Sequence, residues 1–308
     1  MHKNYKNKFK KCLLFTLTFC LSVNVFAGAD DEIIKNAERN ALNATNGVLR
    51  SLTSGLTETL KNFESIKYLD VQVEAQENFS PAYSITVLSS LFENQNSLFF
   101  NQSTLTHNKD EQTVNFGLGY RTLINNDKVL LGLNMFYDYA FDDNHRRIGA
   151  GLEAISSVFD FRSNIYEAES DVVTLTNGST EEALDGWDAR IDYHIPVGFD
   201  LRIFGTYFDW EDSAKTYENK GEQYGIAGQY GLVKFEVGYR DEEGNKKKDA
   251  FGKISLVIPL GDVPTSGVVS RGLMEMVSVR DQLYEPVERE NRIRVVRISS
   301  GNVVVSGF

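Results

Sequence analysis

The sequence predicts an all-β protein, a twelve-stranded antiparallel transmembrane barrel preceded by a short helical segment. Three observations carry that expectation. The chain opens with an export leader, no later stretch is apolar enough for a spanning helix, and between residues 68 and 259 apolar residues recur with a period of two.

The leader comes first. Lys3, Lys6, Lys8, Lys10 and Lys11 form a basic start, Cys12 to Phe26 an apolar stretch, and Val25-Phe26-Ala27 a small-x-small cleavage pattern with Val in the outer position. This is a secretory signal, cleaved near Ala27, too short and too abruptly ended to span a membrane. Both cysteines, Cys12 and Cys20, lie inside it. The exported chain is therefore expected to hold no disulfide, no catalytic thiol and no Cys-ligated metal. Loss of the five leader lysines leaves 27 basic residues against 43 acidic ones, a balance that argues against nucleic acid as a partner. No later run reaches the roughly 18 apolar residues of a spanning helix. A membrane span must then be a closed barrel, because only helices and closed barrels satisfy every backbone hydrogen bond in lipid.

From Glu32 to about Ile66 apolar residues fall near helical spacing, at Ile34, Ala37, Ala41, Val48, Leu52, Leu56, Leu60 and Phe63. They predict an amphipathic helical segment within 28–67, interrupted around Asn43 to Gly47, on the periplasmic side.

The period then becomes two. In 114–121, Val114, Phe116, Leu118 and Tyr120 share one face, while Asn115, Gly117, Gly119 and Arg121 share the other. Leu131, Leu133, Met135, Tyr137 and Tyr139 lie opposite Asn134 and Asp138. Trp187, Ala189, Ile191 and Tyr193 alternate with Asp188, Arg190, Asp192 and His194, and Val233, Phe235, Val237 and Tyr239 with Lys234, Glu236, Gly238 and Arg240. A soluble sandwich also alternates. Charged groups in the middle of strands whose other face is large and apolar suit a wall between lipid and a wet lumen, with tyrosines and Trp187 in the interfacial girdles. Twelve segments are expected: 68–76, 82–91, 97–106, 112–123, 129–139, 147–155, 159–166, 187–195, 200–208, 222–230, 232–240 and 250–259. An even number returns both barrel ends to one side. The odd connections, including 140–146, 167–186 and 209–221, are mostly longer than the even ones, which is the external-loop, periplasmic-turn asymmetry of outer-membrane barrels.

Several stretches resemble the translocator domain of the intimin/invasin family, the inverse autotransporters. The most specific is Gly132 to Tyr139, ending in the aromatic-x-Asp segment Tyr137-Asp138-Tyr139, followed by Asn144-His145-Arg146-Arg147 and Gly149-Ala150-Gly151-Leu152-Glu153. Gly186 to Ile191, ending near Pro196, and Phe235 to Arg240 are similar to later family strands, Gly252 to Gly261 to the closing one, and the resemblance covers roughly 68–297. It implies a barrel over 68–260 with a periplasmic N-terminus, and a linker within 261–308 that re-enters the pore. Leu273-Met274-Glu275-Met276 and Pro286 to Glu290, leading into Ile293 to Arg297, carry that part of the likeness. Between Arg271 and Arg297 six arginines stand against five acidic residues, and pairing with lumen charges such as Glu236 or Asp188 is expected. In that family the linker carries an adhesive passenger outward. Here neither a peptidoglycan-binding module before the barrel nor a domain beyond Ser299 to Phe308 is apparent, so the passenger is expected to be lost, truncated or never present.

Candidate chemistry is sparse. His107 and His145 are expected in external loops and His194 in the lumen. Asp142, Asp143 and His145 lie together, as acid-base groups can, but no second pair accompanies them. The Arg146-Arg147 doublet points instead to loop or lipopolysaccharide contact. Gly117/Gly119 and Gly149/Gly151 lie within strands with no following helix, so they relieve crowding rather than cradle phosphate. The charged stretch Glu242 to Lys248 reads as a solvated loop tip, and Phe308 as a coincidental terminal aromatic, since 303–308 is too short to span. No catalytic, cofactor-binding or metal-ligating residue is assigned, and no enzymatic role is expected. Partners are outer-membrane lipid and lipopolysaccharide, the barrel-assembly machinery and periplasmic chaperones; oligomeric state is not legible. The expected role is a membrane anchor and translocator. The alternatives are a narrow diffusion channel or a surface protein acting through loops 167–186 and 209–221.

Overall fold

The computed structural model describes residues 65–76, 80–108, 111–175, 178–243, 248–260, 275–299 and 302–306. The expected leader, the helical segment up to residue 64, linker residues 261–274 and the tip at 244–247 lie outside them. The strands, in chain order, are β1 (Ile66–Gln76), β2 (Ala82–Glu93), β3 (Ser97–Asn108), β4 (Glu111–Ile124), β5 (Val129–Ala140), β6 (Arg146–Ser156) and β7 (Phe159–Ala168). The short β8 (Val173–Thr174) and β9 (Thr180–Ala183) follow, then β10 (Asp185–His194), β11 (Asp200–Glu211), β12 (Glu218–Tyr230), β13 (Val233–Glu242) and β14 (Asp249–Pro259). A 3-10 turn at Arg280–Tyr284 and strands β15 (Val295–Ser299) and β16 (Asn302–Ser306) complete the described chain.

Twelve strands close an antiparallel barrel. β1 to β7 pair in sequence, β7 pairs with β10, β10 to β14 continue, and β14 returns to β1 with Tyr68 opposite Pro259 and Gln76 opposite Phe251. Each expected segment falls on one of these strands, with Ile195 and Leu232 one residue beyond β10 and β13. Closure leaves no edge, and the ladder satisfies the wall's own N–H and C=O groups, which lipid requires.

The structure differs from the sequence reading in two places. Strands run past the apolar band: β11 and β12 stay paired through Asp209–Lys220, Trp210–Asn219 and Glu211–Glu218, which shortens the expected loop 209–221 to 212–217. Backbone groups still gain from pairing after the side chains turn polar, so the period-two hydropathy stops before the ladder does. For the same reason His107 lies on β3 opposite Gln112 rather than in a loop. The second difference is in 167–186, which folds β8 and β9 into a four-stranded sheet, ordered β16-β15-β9-β8, with the C-terminal hairpin. Of the segment 303–308, expected to be too short to span, residues 303–306 are part of this sheet, outside the barrel wall, and Phe308 lies outside the described residues.

Burial is inverted relative to a soluble protein. Leu133 is 65% exposed, and Met135, Phe116, Ile191, Ile203, Val237 and Tyr239 also face outward, whereas Asp138 and Arg147 are fully buried in the lumen. Aromatic residues gather near both ends of the outer face: Phe159 with Tyr193 at the end carrying the barrel termini, Trp187 with Tyr207 and Tyr224 with Tyr239 at the opposite, loop end. Gly117 and Gly119 do relieve crowding. A Cβ there would lie 2.1 Å from the ring of Phe136 and 2.2 Å from that of Phe100, their direct cross-strand neighbours. Leu133→Arg, which places a charge on the lipid face near mid-strand, is expected to destabilise the barrel by about 2–4 kcal/mol, read from urea unfolding in liposomes.

Candidate functional site: the linker-filled lumen

Chain after the 3-10 turn runs inside the barrel, from the end carrying the barrel termini to the loop end. At the first end it is fixed to the short turns between strands. The Val279 amide donates to the Asp127 carbonyl (2.7 Å), and the Arg280 guanidinium pairs with the Asp127 carboxylate (2.9 Å). That turn holds Asn125, Asn126 and Asp127 at φ of 53°, 54° and 64°. Such left-handed backbone is tolerated by Asn and Asp better than by most residues. Val277 donates its amide to Ser157 in the adjacent turn (2.8 Å).

The lumen then divides into three levels. At the first end, lumen-facing Leu88, Leu98, Phe100, Leu123, Leu130, Ile155 and Val257 surround Val279, Leu283 and Val287. This apolar collar is an addition to the charged lumen that the sequence predicts. At the loop end a second collar forms from Tyr166, Leu184, Phe208 and Trp210 around Val296, beside a smaller cluster of Ala140, Ala183, Ile293 and Val295.

Between the collars the wall is charged and reads the linker's backbone. Gln102 accepts the Val287 amide (2.7 Å), Asn115 donates to the Asn291 carbonyl (2.8 Å), and Arg147 to the Glu290 carbonyl (2.7 Å). The Tyr166 hydroxyl accepts the Glu290 amide (2.8 Å) while donating to Asp188 (2.7 Å). Arg121, held by Glu153 through bonds of 2.8 and 3.0 Å, donates to the Leu283 carbonyl (3.1 Å). Extended chain with no strand partner leaves its amides and carbonyls open, and buried groups of that kind require partners. Here side chains of β3, β4, β6 and β7 supply them.

Side-chain charges complete the seat. Arg289 makes a two-pronged bond to Asp138 (2.7 and 2.9 Å), stacks 4.3 Å over Phe136, and occupies space that only the absence of a side chain at Gly149 leaves open. Arg147 shares the same carboxylate at 2.8 Å. Glu288 lies 3.6–3.9 Å from Arg162, Arg190 and Arg202. Arg292 reaches Glu74 (3.2 Å) and Arg294 reaches Glu290 (2.9 Å). The linker arginines thus do pair, but with partners other than those expected. Glu236 is taken by Arg190 (2.8 Å) and Lys253 (3.2 Å), and Asp188 accepts from Asn164 and Tyr166. Asp138 and Glu74 of the wall hold Arg289 and Arg292 instead, and the linker's own Glu290 holds Arg294. Against the rest of the wall a cavity of about 210 Å³ remains, lined by residues such as Gln72, Ser84, Gln223 and Ser255.

The other residues singled out from sequence fall as follows. His194 faces the lumen as expected, between Asp160 (3.1 Å) and Asp200 (3.5 Å). His145, expected in an external loop, is in that connection but buried, with Ser170 (3.1 Å) and Glu181 of β9 (3.1 Å) as partners. Asp142 accepts the Gln112 amide (2.9 Å). The Arg146-Arg147 doublet does not act as one basic patch: at the start of β6 successive residues face opposite ways, so Arg146 is exposed and Arg147 is fully buried against Asp138. Outside the barrel Glu181 receives His145 and, at 2.7 Å, Arg297 of β15. Burial alone would raise its carboxyl, but those hydrogen bonds outweigh burial and hold it below its ordinary 4.5. Neighbouring Asp143 is pushed up by burial and by the charge of Glu181.

The family profile and the first of the solved structures below support the same architecture. The sequence profile described as inverse autotransporter, beta-domain, matches residues 23–291. A solved structure from work on in-meso crystallization of membrane proteins is 22% identical, with a TM-score of 0.63, over 75% of this chain and 100% of that one. The COG4313 outer membrane channel from Pseudomonas putida F1 is 7% identical, with a TM-score of 0.48, over 63% of this chain and 96% of that one. The KdgM porin is 9% identical, with a TM-score of 0.43, over 61% and 98%. No curated protein matches the sequence.

Two outcomes follow from the geometry. Asp138→Ala would leave Arg147 and Arg289 buried side by side without their shared carboxylate. It is expected to weaken linker seating by about 3–5 kcal/mol, visible as an earlier urea transition in the fluorescence of Trp210, which packs beside Val296. Glu181 has a depressed carboxyl, so its stabilising contribution is complete above 4.5 and is lost as pH falls through the lower folded value. Protection factors of β9 and β15 amides, corrected for intrinsic exchange, should therefore hold at neutral pH and drop in acid, and Glu181→Gln should remove that acid dependence.

Proposed function

The chain belongs to the inverse autotransporter β-domain family and forms a β-barrel of the bacterial outer membrane; on that premise we propose that it is a translocator and anchor, whose linker re-enters the pore and holds the following chain at the cell surface. The observation that carries this reading is the seat itself. Residues 279–296 engage lumen side chains on successive strands and emerge into a sheet with β9, so the chain that leaves the barrel at β14 is returned to the opposite end. In this reading the end carrying β1 and β14 faces the periplasm, the leader at 1–27 directs export, and the barrel-assembly machinery inserts the wall.

A narrow diffusion channel is the second reading, and the cavity beside the linker is what favours it. Conductance separates the two. Under the translocator reading the intact protein is nearly silent in planar bilayers, and deletion of 261–308 produces large steady steps. A tag after Phe308 should also be cleaved by protease added to intact cells. Equal conductance of intact and deleted protein would refute plugging, and an uncleavable tag would refute surface delivery of the tail.

A further inference from the structure

Successive linker residues 288, 289 and 290 alternate in charge as Glu, Arg, Glu, and the wall sectors that the first two meet are opposite to them in sign. Glu288 faces the guanidiniums of Arg162 on β7, Arg190 on β10 and Arg202 on β11, at 3.9, 3.6 and 3.7 Å. Arg289 faces Asp138 on β5, two strands round the barrel from β7. Glu290 turns back to the linker's own Arg292 and Arg294. The wall side of this match is unusual in itself. Arg162 and Arg190 are direct cross-strand partners, and like charges directly opposite destabilise a sheet. Asp192 bridges them from the wall at 3.1 and 2.8 Å, and the carboxylate of Glu288 lies near both from the lumen.

We infer that the Glu288-Arg289-Glu290 alternation is a register lock, which stops the linker in the pore at one position and rejects its neighbours. Moving an extended chain by one residue shifts it about 3.3 Å. A one-residue slip back toward the barrel-termini end would set Arg289 against the three arginines and Glu290 against Asp138, so both contacts become repulsive. A one-residue advance would set Val287 against the arginines and Glu288 against Asp138. A two-residue slip back would restore a carboxylate at the arginines, as Glu290, but leave Asn291 at Asp138. The native position is the one that satisfies both sectors. The backbone contacts of Gln102, Asn115 and Arg147 do not read side-chain sign, because main-chain groups other than the missing N–H of Pro286 repeat along the chain. They and the apolar seats of Val279, Leu283 and Val287 hold the linker, and the charges add discrimination by sign. Glu288 and Arg289 are positioning residues in this sense, and the lock rests on the proposal that the linker plugs the pore.

The test uses the full protein in planar bilayers, with heat-modifiable gel mobility confirming that each barrel is folded. The exchange Glu288→Arg/Arg289→Glu keeps net charge and composition but inverts the match, and is expected to raise the open fraction at least tenfold over the native protein. Glu288→Gln/Arg289→Gln, which removes attraction without adding repulsion, should fall between the two, and Glu288→Asp/Arg289→Lys should stay near native. If the exchange variant does not fold, the order of the neutral and conservative pairs decides. Native-like closure of the exchanged or neutral pair, with free conductance after deletion of 261–308, would overturn the lock and leave the plug standing. Equal conductance with and without 261–308 would overturn the plug itself.

Discussion

Backbone hydrogen bonding in a medium without water governs this molecule. Each amide and carbonyl of the wall must find a partner within the chain, and β14 pairing with β1 meets that condition without an edge. Closure with an even number of strands brings both barrel ends to one mouth, so any segment bound for the other mouth has to go back through the centre. The inside-out distribution of side chains follows from the same constraint, since lipid takes the apolar face and leaves the polar one to the lumen.

Inside, the linker meets the same demand in a different way. It has no strand to pair with between the 3-10 turn and β15, and the lumen supplies amide, hydroxyl and guanidinium groups in place of water. Apolar collars at both ends reduce exchange with bulk solvent, which makes the charged contacts between them strong when matched and costly when broken. Stability and placement are thus divided: the collars bury apolar surface without regard to side-chain sign, while Asp138 and the arginines of β7, β10 and β11 discriminate.

The wall was legible from hydropathy, whereas the linker's return through the pore was implied only by the family resemblance. The twelve strands are short-period signals reinforced by large outward residues, and the odd-even difference in connection length gave their direction. Asp138 and Arg147 were visible as parts of the Tyr137-Asp138-Tyr139 and Arg146-Arg147 motifs. Their joint role was not, because it depends on Arg289, some 150 positions later in the chain. The collar at the first end was hidden for a related reason: Leu98, Leu123 and Leu130 face inward near strand ends, where apolar residues on both faces blur the alternation. Gln102 and Asn115 carried no signal beyond being polar and inward, since a side chain that binds backbone has no partner residue type to look for.

The seat of Arg289 on Asp138 is almost wholly removed from solvent, at 1% and 0% side-chain exposure, whereas loop pairs such as Lys215–Glu211 stand in the surrounding water. Mobile ions screen the second kind within about 8–10 Å at ordinary ionic strength and reach the first kind far less. A cell carried from dilute to brackish surroundings would therefore have its loop tips electrostatically retuned, while the thread through the barrel kept its grip.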